Sequence, residues 1–554
     1  MVLAAMIGWL AASTLPTGHA PTGPSPDLVV LHATIRTANH IHPRAQAMAV
    51  HDGHILGVGT DREIEKRIGP ATVVWDLRGL TVLPGLIDSH GHLSGLGERL
   101  ANVDLVGTRS YDEVIARVVE RSRQTPPGQW VKGRGWDQND WPVEAMPHHE
   151  PLSRAVPDHP VALDRVDGHA LLVNRRALEL ARITKDTPDP PGGLIERDST
   201  GAPTGVLIDN ASDLVEQAFA SPSAEERQHR LQEAMRACAK VGLTMVGDAG
   251  IGRETRAAYQ ALLERNELPI RVYSMAYAGD PLAEELLERG PENGDRFTLR
   301  ALKVVYDGAL GSRGALLSEP YSDRPGHTGL ERWTVDSLAK VAIRARARGL
   351  QVRVHAIGDL ANTRTLDAFE QAFEGRPHAE LRWAIEHAQV VRPEDILRFA
   401  RLGVIASMQA THATSDGPWA EERLGPRRIR WGYAWRQFLE AGVRFANGSD
   451  FPVESEDPKL GLYASITRRD LDGKLPAGGW YPEERLSPDE ALLSFTLWGA
   501  YAAFRERDLG SLEPGKLADF VVLDRDPFAG SPEELLKTRA LKTVVGGHVV
   551  YEAP

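Results

Sequence analysis

Residues 299–308 read "LRALKVVYDG", and how that stretch is read decides the fold. Lys303 lies inside an apolar run, flanked by Leu302, Val304 and Val305, that has the composition of a strand. Leu299, Ala301, Lys303 and Asp307 share the period-two parity of one strand face. An ammonium buried without a partner is very costly, so a strand-interior lysine needs a reason. Either the strand lies at the surface and the lysine snorkels to water, or the lysine is not an ammonium. What the rest of the chain brings to the same place decides between them.

Seven further stretches have the same character: "LTVLPGLIDSHGH", "GLTMVGDAG", "PIRVYSMAY", "LQVRVHAIGD", "LRWAIEHAQV", "VIASMQATHAT" and "VRFANGSDFPV". Helical segments such as "TVDSLAKVAIRARARG" and "NTRTLDAFEQAFEG", apolar at helical spacing, separate many of them. Eight strands alternating with helices predict an α/β fold, a (β/α)8 TIM-type barrel with its working residues at the C-terminal strand ends. The barrel is expected over residues 84–507, and the gap after its first strand, about 104–240, is too long for a connection and predicts an inserted subdomain. Short strands and Asp-Gly turns mark 27–83 and again 508–554. Neither end has enough strands for a core, so together they are expected to form one small β-sandwich.

Composition bounds the function. At 42% hydrophobic and 25% charged, the 554 residues can bury a large core, and a net charge of −12 argues against nucleic acid, which demands a basic face. The single cysteine, Cys238, excludes an internal disulfide and a thiolate metal cluster, and among alanines in "LQEAMRACAKVG" it reads as small core filling. Residues 1–26 look like an export signal and linker, with an apolar stretch too short for a stable membrane span and small residues around His19. No Lys or Arg precedes that stretch, which departs from the usual signal pattern. The leader makes a periplasmic or secreted protein the expectation, with the cytoplasm as alternative.

The predicted strand ends carry the chemistry. His90 and His92, two apart in "DSHGH", point the same way from an extended strand. Lys303 belongs to the fourth strand, His355 to the fifth, His387 to the sixth and Asp450 to the eighth. Any one of these is more often a structural residue than a ligand. Four imidazoles, one carboxylate and one lysine on a single rim are hard to produce by packing alone, and imidazole with carboxylate suits zinc and related divalent ions. Arg353 shares the face of His355, which is awkward for a metal site unless it lies deeper against a carboxylate.

This set, with "GRGWDQNDW", "DRVDGHALLVN", "DGALGSRGALL", "VHAIGDLAN", "IEHAQ" and "NGSDFPVE" in order, resembles the amidohydrolase superfamily, in the branch of N-substituted formamide deformylases. The resemblance covers nearly the whole chain after the leader. It implies a small-molecule amide substrate, two zinc ions per chain and a Lys303 carbamylated by CO2 to bridge them; it is compatible with a homodimer. It implies His90, His92, Lys303 and Asp450 for one ion, Lys303, His355 and His387 for the other, and Asp450 as general base and acid. Trp136, Asp137 and His169 match family pieces that line the pocket, and His412, read as ending the seventh strand, is expected to hold the carbonyl oxygen. Trp136, Trp141 and Trp419 mildly favour an apolar substituent on the amide. Two alternatives stay open: a deaminase-type site with one metal on His90, His92, His355 and Asp450, and a sensor or regulatory protein on the same scaffold.

Overall fold

The computed structural model describes residues 24–554, apart from 139, 140, 144, 166–169, 191, 192, 220 and 312. Most of the expected leader therefore lies outside the described residues. Eight parallel strands follow one another in a single sheet: β1 (Leu86–Gly91), β2 (Leu243–Ile251), β3 (Arg271–Tyr277), β4 (Phe297–Val305), β5 (Gln351–Ala356), β6 (Ala384–His387), β7 (Ile405–Gln409) and β8 (Phe445–Gly448). Six of the eight fall within the stretches singled out from the sequence; β2 runs one residue past its stretch, and β4 starts two residues before its own. They were legible because a parallel strand is covered on both faces and reads as a nearly unbroken apolar run.

The two edge strands meet at the C-terminal end. The Asp450 N–H donates to the His90 carbonyl at 2.7 Å, and the His92 N–H to the Phe451 carbonyl at 2.8 Å. Gly448 lets this seam close, since a Cβ there would lie 2.7 Å from His90 N and 2.8 Å from Asp88 Oδ1. Gly448→Ala is expected to cost about 1–3 kcal/mol through overpacking and to lower metal uptake, measured by thermal unfolding and metal analysis.

The barrel interior is packed with Ile87, Met245, Tyr273, Met275 and Ala301, and Ala500, Ala503 and Leu509 join the same cluster. Outside the strands, the helix Ala224–Lys240 starts with a Ser223/Glu226 capping box and buries Leu231, Ala234, Met235 and Cys238. These share one core with Leu86, Leu243 and Val246 of β1 and β2. This corrects the expected insertion boundary: a helix whose apolar face seals the barrel belongs to the barrel, although the sequence reading gave 104–240 to the insertion. Cys238 is free and buried, as its setting implied.

Between β1 and that helix a separate six-stranded sheet forms from Val103–Asp104, Val131–Trp136, Val161–Arg165, Ala170–Val173, Pro203–Asp209 and Gly193–Arg197. At the chain ends, Phe520–Leu523 pairs antiparallel with Thr81–Pro84 in a six-stranded sheet that also holds Ala540–Val545 and His548–Glu552. A four-stranded sheet built from Leu28–Leu31, Ala47–His51, His54–Gly59 and Val73–Asp76 shares a core with it through Val30, Met48, Val82, Phe520 and Val544. Among the described residues no helix is long and apolar enough to cross a membrane.

Candidate metal centre

The end of β1 departs from strict alternation: Ile87 packs the interior, and the pairing of β1 with β2 shifts register between Asp88 and Gly91, where His90 lies. The Asp88 carboxylate accepts from His90 N–H at 3.0 Å and from the Ser449 hydroxyl at 2.6 Å, tying β1 to the end of β8. Arg353 and His355 share a face of β5. Arg353 does lie deeper: its Nε donates to Glu386, and Nη2 donates to Ser407 Oγ at 2.8 Å and the Ser89 carbonyl at 3.3 Å. The other Glu386 oxygen bonds His90 Nδ1. Burial alone would push the Glu386 carboxyl up, but Arg353 and His90 overcome it and hold the group well below the usual carboxylate range. With Nδ1 committed to Glu386, His90 turns Nε2 to the centre, as metal-binding histidines do.

The ligand positions depart from regular strand geometry. His387 ends β6 with φ +71°, so it and its neighbour Glu386 both reach the interior although alternation would send them to opposite faces. Asp450, two residues past β8, has φ +60°. Left-handed backbone at non-glycine residues is uncommon and collects at functional sites. The His387 ring is fixed by Gln409 Oε1, 2.7 Å from Nδ1.

These elements bring all six expected ligands together. One donor atom each of His90, His387 and Asp450 lies within 4.8 Å of the others. Asp450 Oδ1 is 3.1 Å from His92 Nε2 and 3.4 Å from His90 Nε2. The His355 and His387 rings are 4.5 Å apart between centroids. Lys303, 3% exposed, sets Nζ 3.2 Å from His90 Nε2. Burial pulls its pKa down to about 8 against the nearby Glu386 and Asp450 carboxylates. The lysine does not reach water, which rules out the snorkelling alternative its strand posed. Burial, with Lys303 next, pushes His355 down to about 3, and burial with His355 holds His387 well below the ordinary imidazole value. Both rings are therefore neutral lone-pair donors at pH 7.

Burial raises the Asp450 carboxyl, but His90 and His92 outweigh it and keep Asp450 ionised. His355 Nε2 and His412 Nε2 are buried without a hydrogen-bond partner. Buried imidazole nitrogens left open beside a carboxylate and a lysine whose proton burial loosens are the donor set a divalent cation takes, so the residues fit a metal.

The expected substrate residues fare less uniformly. His412 is in the first turn of the helix Ala410–Arg428, because β7 stops at Gln409; no breaker in "ATHAT" marks that change. It still reaches the site, with Nε2 3.9 Å from Asp450 Oδ2 and its ring stacked 5.9 Å from His387. Trp136 departs from the expected pocket wall: it is fully buried, donates its indole N–H to the Leu163 carbonyl at 2.7 Å and packs with Trp141 in the insertion's own core. Trp141 is buried there too. Asp137 is ion-paired with Arg165 at 2.5 Å. His169 lies outside the described residues. Sequence reasoning missed Glu386, Asp88 and Gln409; the signal for Glu386 was the awkward Arg353, which required a buried carboxylate nearby.

A consecutive parallel eight-stranded barrel with imidazoles, a carboxylate and a buried lysine on its C-terminal rim defines the class as TIM-type barrels built around a metal-ligand cluster. The chain belongs to the amidohydrolase family, whose profile matches residues 73–551. It is 35% identical to the YtcJ protein of Bacillus subtilis (strain 168) over 92% of this chain and 96% of that one. It is 30% identical to the N-substituted formamide deformylase of Arthrobacter pascens over 95% of this chain and 98% of that one. A solved uncharacterized metal-dependent hydrolase from Pyrococcus horikoshii superposes with a TM-score of 0.77 at 28% identity, over 91% of this chain and 99% of that one. The resemblance drawn from the motifs is thereby borne out.

Proposed function

We propose that this protein is a metal-dependent hydrolase of carbon–nitrogen bonds in non-peptide amides, with N-formyl or N-acyl amines as substrates. The observation that carries the reading is the convergence of His90, His387 and Asp450 donor atoms within 4.8 Å beside a buried Lys303. Membership of the amidohydrolase family and the deformylase relative support the bond type.

His90, His92, Lys303 and Asp450 would hold one zinc ion and Lys303, His355 and His387 a second. For Lys303 this means a carbamate. The deprotonated fraction of the amine, enlarged by burial, would use its lone pair to form the bond to CO2 and lose a proton, giving an anion with two oxygens. Bound there, divalent metal polarises a carbonyl oxygen and brings the pKa of water toward neutrality. Asp450, ionised at the start, takes the proton of the attacking water and then delivers it to the leaving nitrogen. His412, unpartnered and beside Asp450, faces the carbonyl oxygen. Glu386 and Gln409 keep His90 and His387 in the tautomers that turn Nε2 inward.

The test is a panel of N-formyl and N-acyl amines assayed with purified protein before and after chelation and after zinc is returned with bicarbonate. The expected result is hydrolysis that chelation abolishes and zinc restores, with Lys303 carrying the mass of one CO2 in the intact protein. Failure of every member of the panel by the zinc-loaded protein would overturn the reading.

A further inference from the structure

Tyr277 is an aromatic at the site that the mechanism leaves without a task. It ends β3 and shares the parity of Tyr273 and Met275, which pack the barrel interior, so its side chain leaves the strand on the inner face. It pairs in register with Lys303 on β4 and so stands at the height of the lysine, one strand away, about 4.8 Å between neighbouring strands. At 39% exposed it faces the open mouth rather than the packed layers below. Its hydroxyl makes no hydrogen bond among the described residues.

The ring is held where it is by a glycine. Gly250 on β2 has φ +133°, and a Cβ there would run into the far end of the Tyr277 ring. No other residue type admits that approach without strain. An exposed ring seated on a reserved glycine is a wall with a fixed position.

The amide carbon carries three groups at about 120° to one another. Asp450 and His412 stand at the β7–β8 side of the rim, where they take the nitrogen and the carbonyl oxygen. The acyl substituent then points across the barrel, and β3 lies four strands round from β7. We infer that Tyr277, seated on Gly250, closes the acyl side of the site and restricts the substrate to amides of short acyl groups, formyl before longer chains. The inference rests on the hydrolase reading and adds to it which end of the amide is bounded.

The experiment compares kcat/KM for formanilide, acetanilide and butyranilide in the zinc-loaded parent, Tyr277→Ala, Tyr277→Phe and Gly250→Ala, with metal content and thermal midpoint checked for each. Removing the ring is expected to raise the butyranilide-to-formanilide ratio by about tenfold or more, the scale on which pockets sort methylenes. Tyr277→Phe keeps the ring and is expected to keep the parent ratio. Gly250→Ala pushes the ring out of its seat and is expected to change the ratio although Tyr277 is retained. A ratio within about twofold of the parent in Tyr277→Ala would overturn the inference. Binding of formohydroxamate and butyrohydroxamate, by calorimetry, reads the same wall without turnover. Should the parent hydrolyse neither these anilides nor any member of the wider amide panel, the hydrolase reading fails while the hydroxamate size ratio still decides the wall: a shift toward butyrohydroxamate in Tyr277→Ala upholds it, and no shift overturns it.

Discussion

Asp450→Asn is expected to lower kcat by about 10³- to 10⁴-fold, the range attached to losing a positioned acid–base group. The amide keeps the side-chain volume and the left-handed backbone that asparagine tolerates, so the seam between β8 and β1 should hold. What is lost is the carboxylate that His90 and His92 keep ionised and that must accept and return one proton per turnover. Metal analysis beside the kinetics separates this from loss of ligation: a variant that retains metal and loses turnover supports the proton role, and one that retains both contradicts it.

The second large effect falls on stability. Glu386 and Arg353 are 0% and 1% exposed and share one ion pair, whose other arm orients His90. Breaking a buried pair from one side leaves an uncompensated charge and costs about 3–5 kcal/mol. Arg353→Met should therefore lower the thermal midpoint strongly, and because the stranded carboxylate is what costs, adding Glu386→Gln should recover part of the loss. The double variant should regain stability but not metal affinity, since the weaker acceptor no longer fixes the His90 ring; losing such a partner costs about 10- to 100-fold in affinity. A single variant as stable as the parent would contradict the pairing.

Most of the barrel could be read from the sequence, for a definite reason. Strands covered on both faces need apolar residues throughout, so a histidine, aspartate or lysine in them or just past their ends stands out, and each of the six did. Glu386 did not stand out, because it sits beside His387 and strand alternation would send the two to opposite faces. Only the left-handed turn at His387, invisible in composition, brings both inward. Trp136 misled for the opposite reason. The family resemblance implied a pocket role for Trp136, yet the insertion has its own sheet to cover and spends that indole on its core. The insertion boundary failed at Ala224–Lys240 because an amphipathic helix does not announce which sheet its apolar face will meet.

The central claim is that the rim of the barrel holds cations. Diffraction from crystals of the zinc-loaded protein, recorded on both sides of the zinc absorption edge, tests it directly. The account predicts two anomalous peaks among His90, His92, Lys303, His355, His387 and Asp450, with density for a CO2-derived group on Lys303. A map with no peak at those side chains, from protein kept in excess zinc, would contradict it.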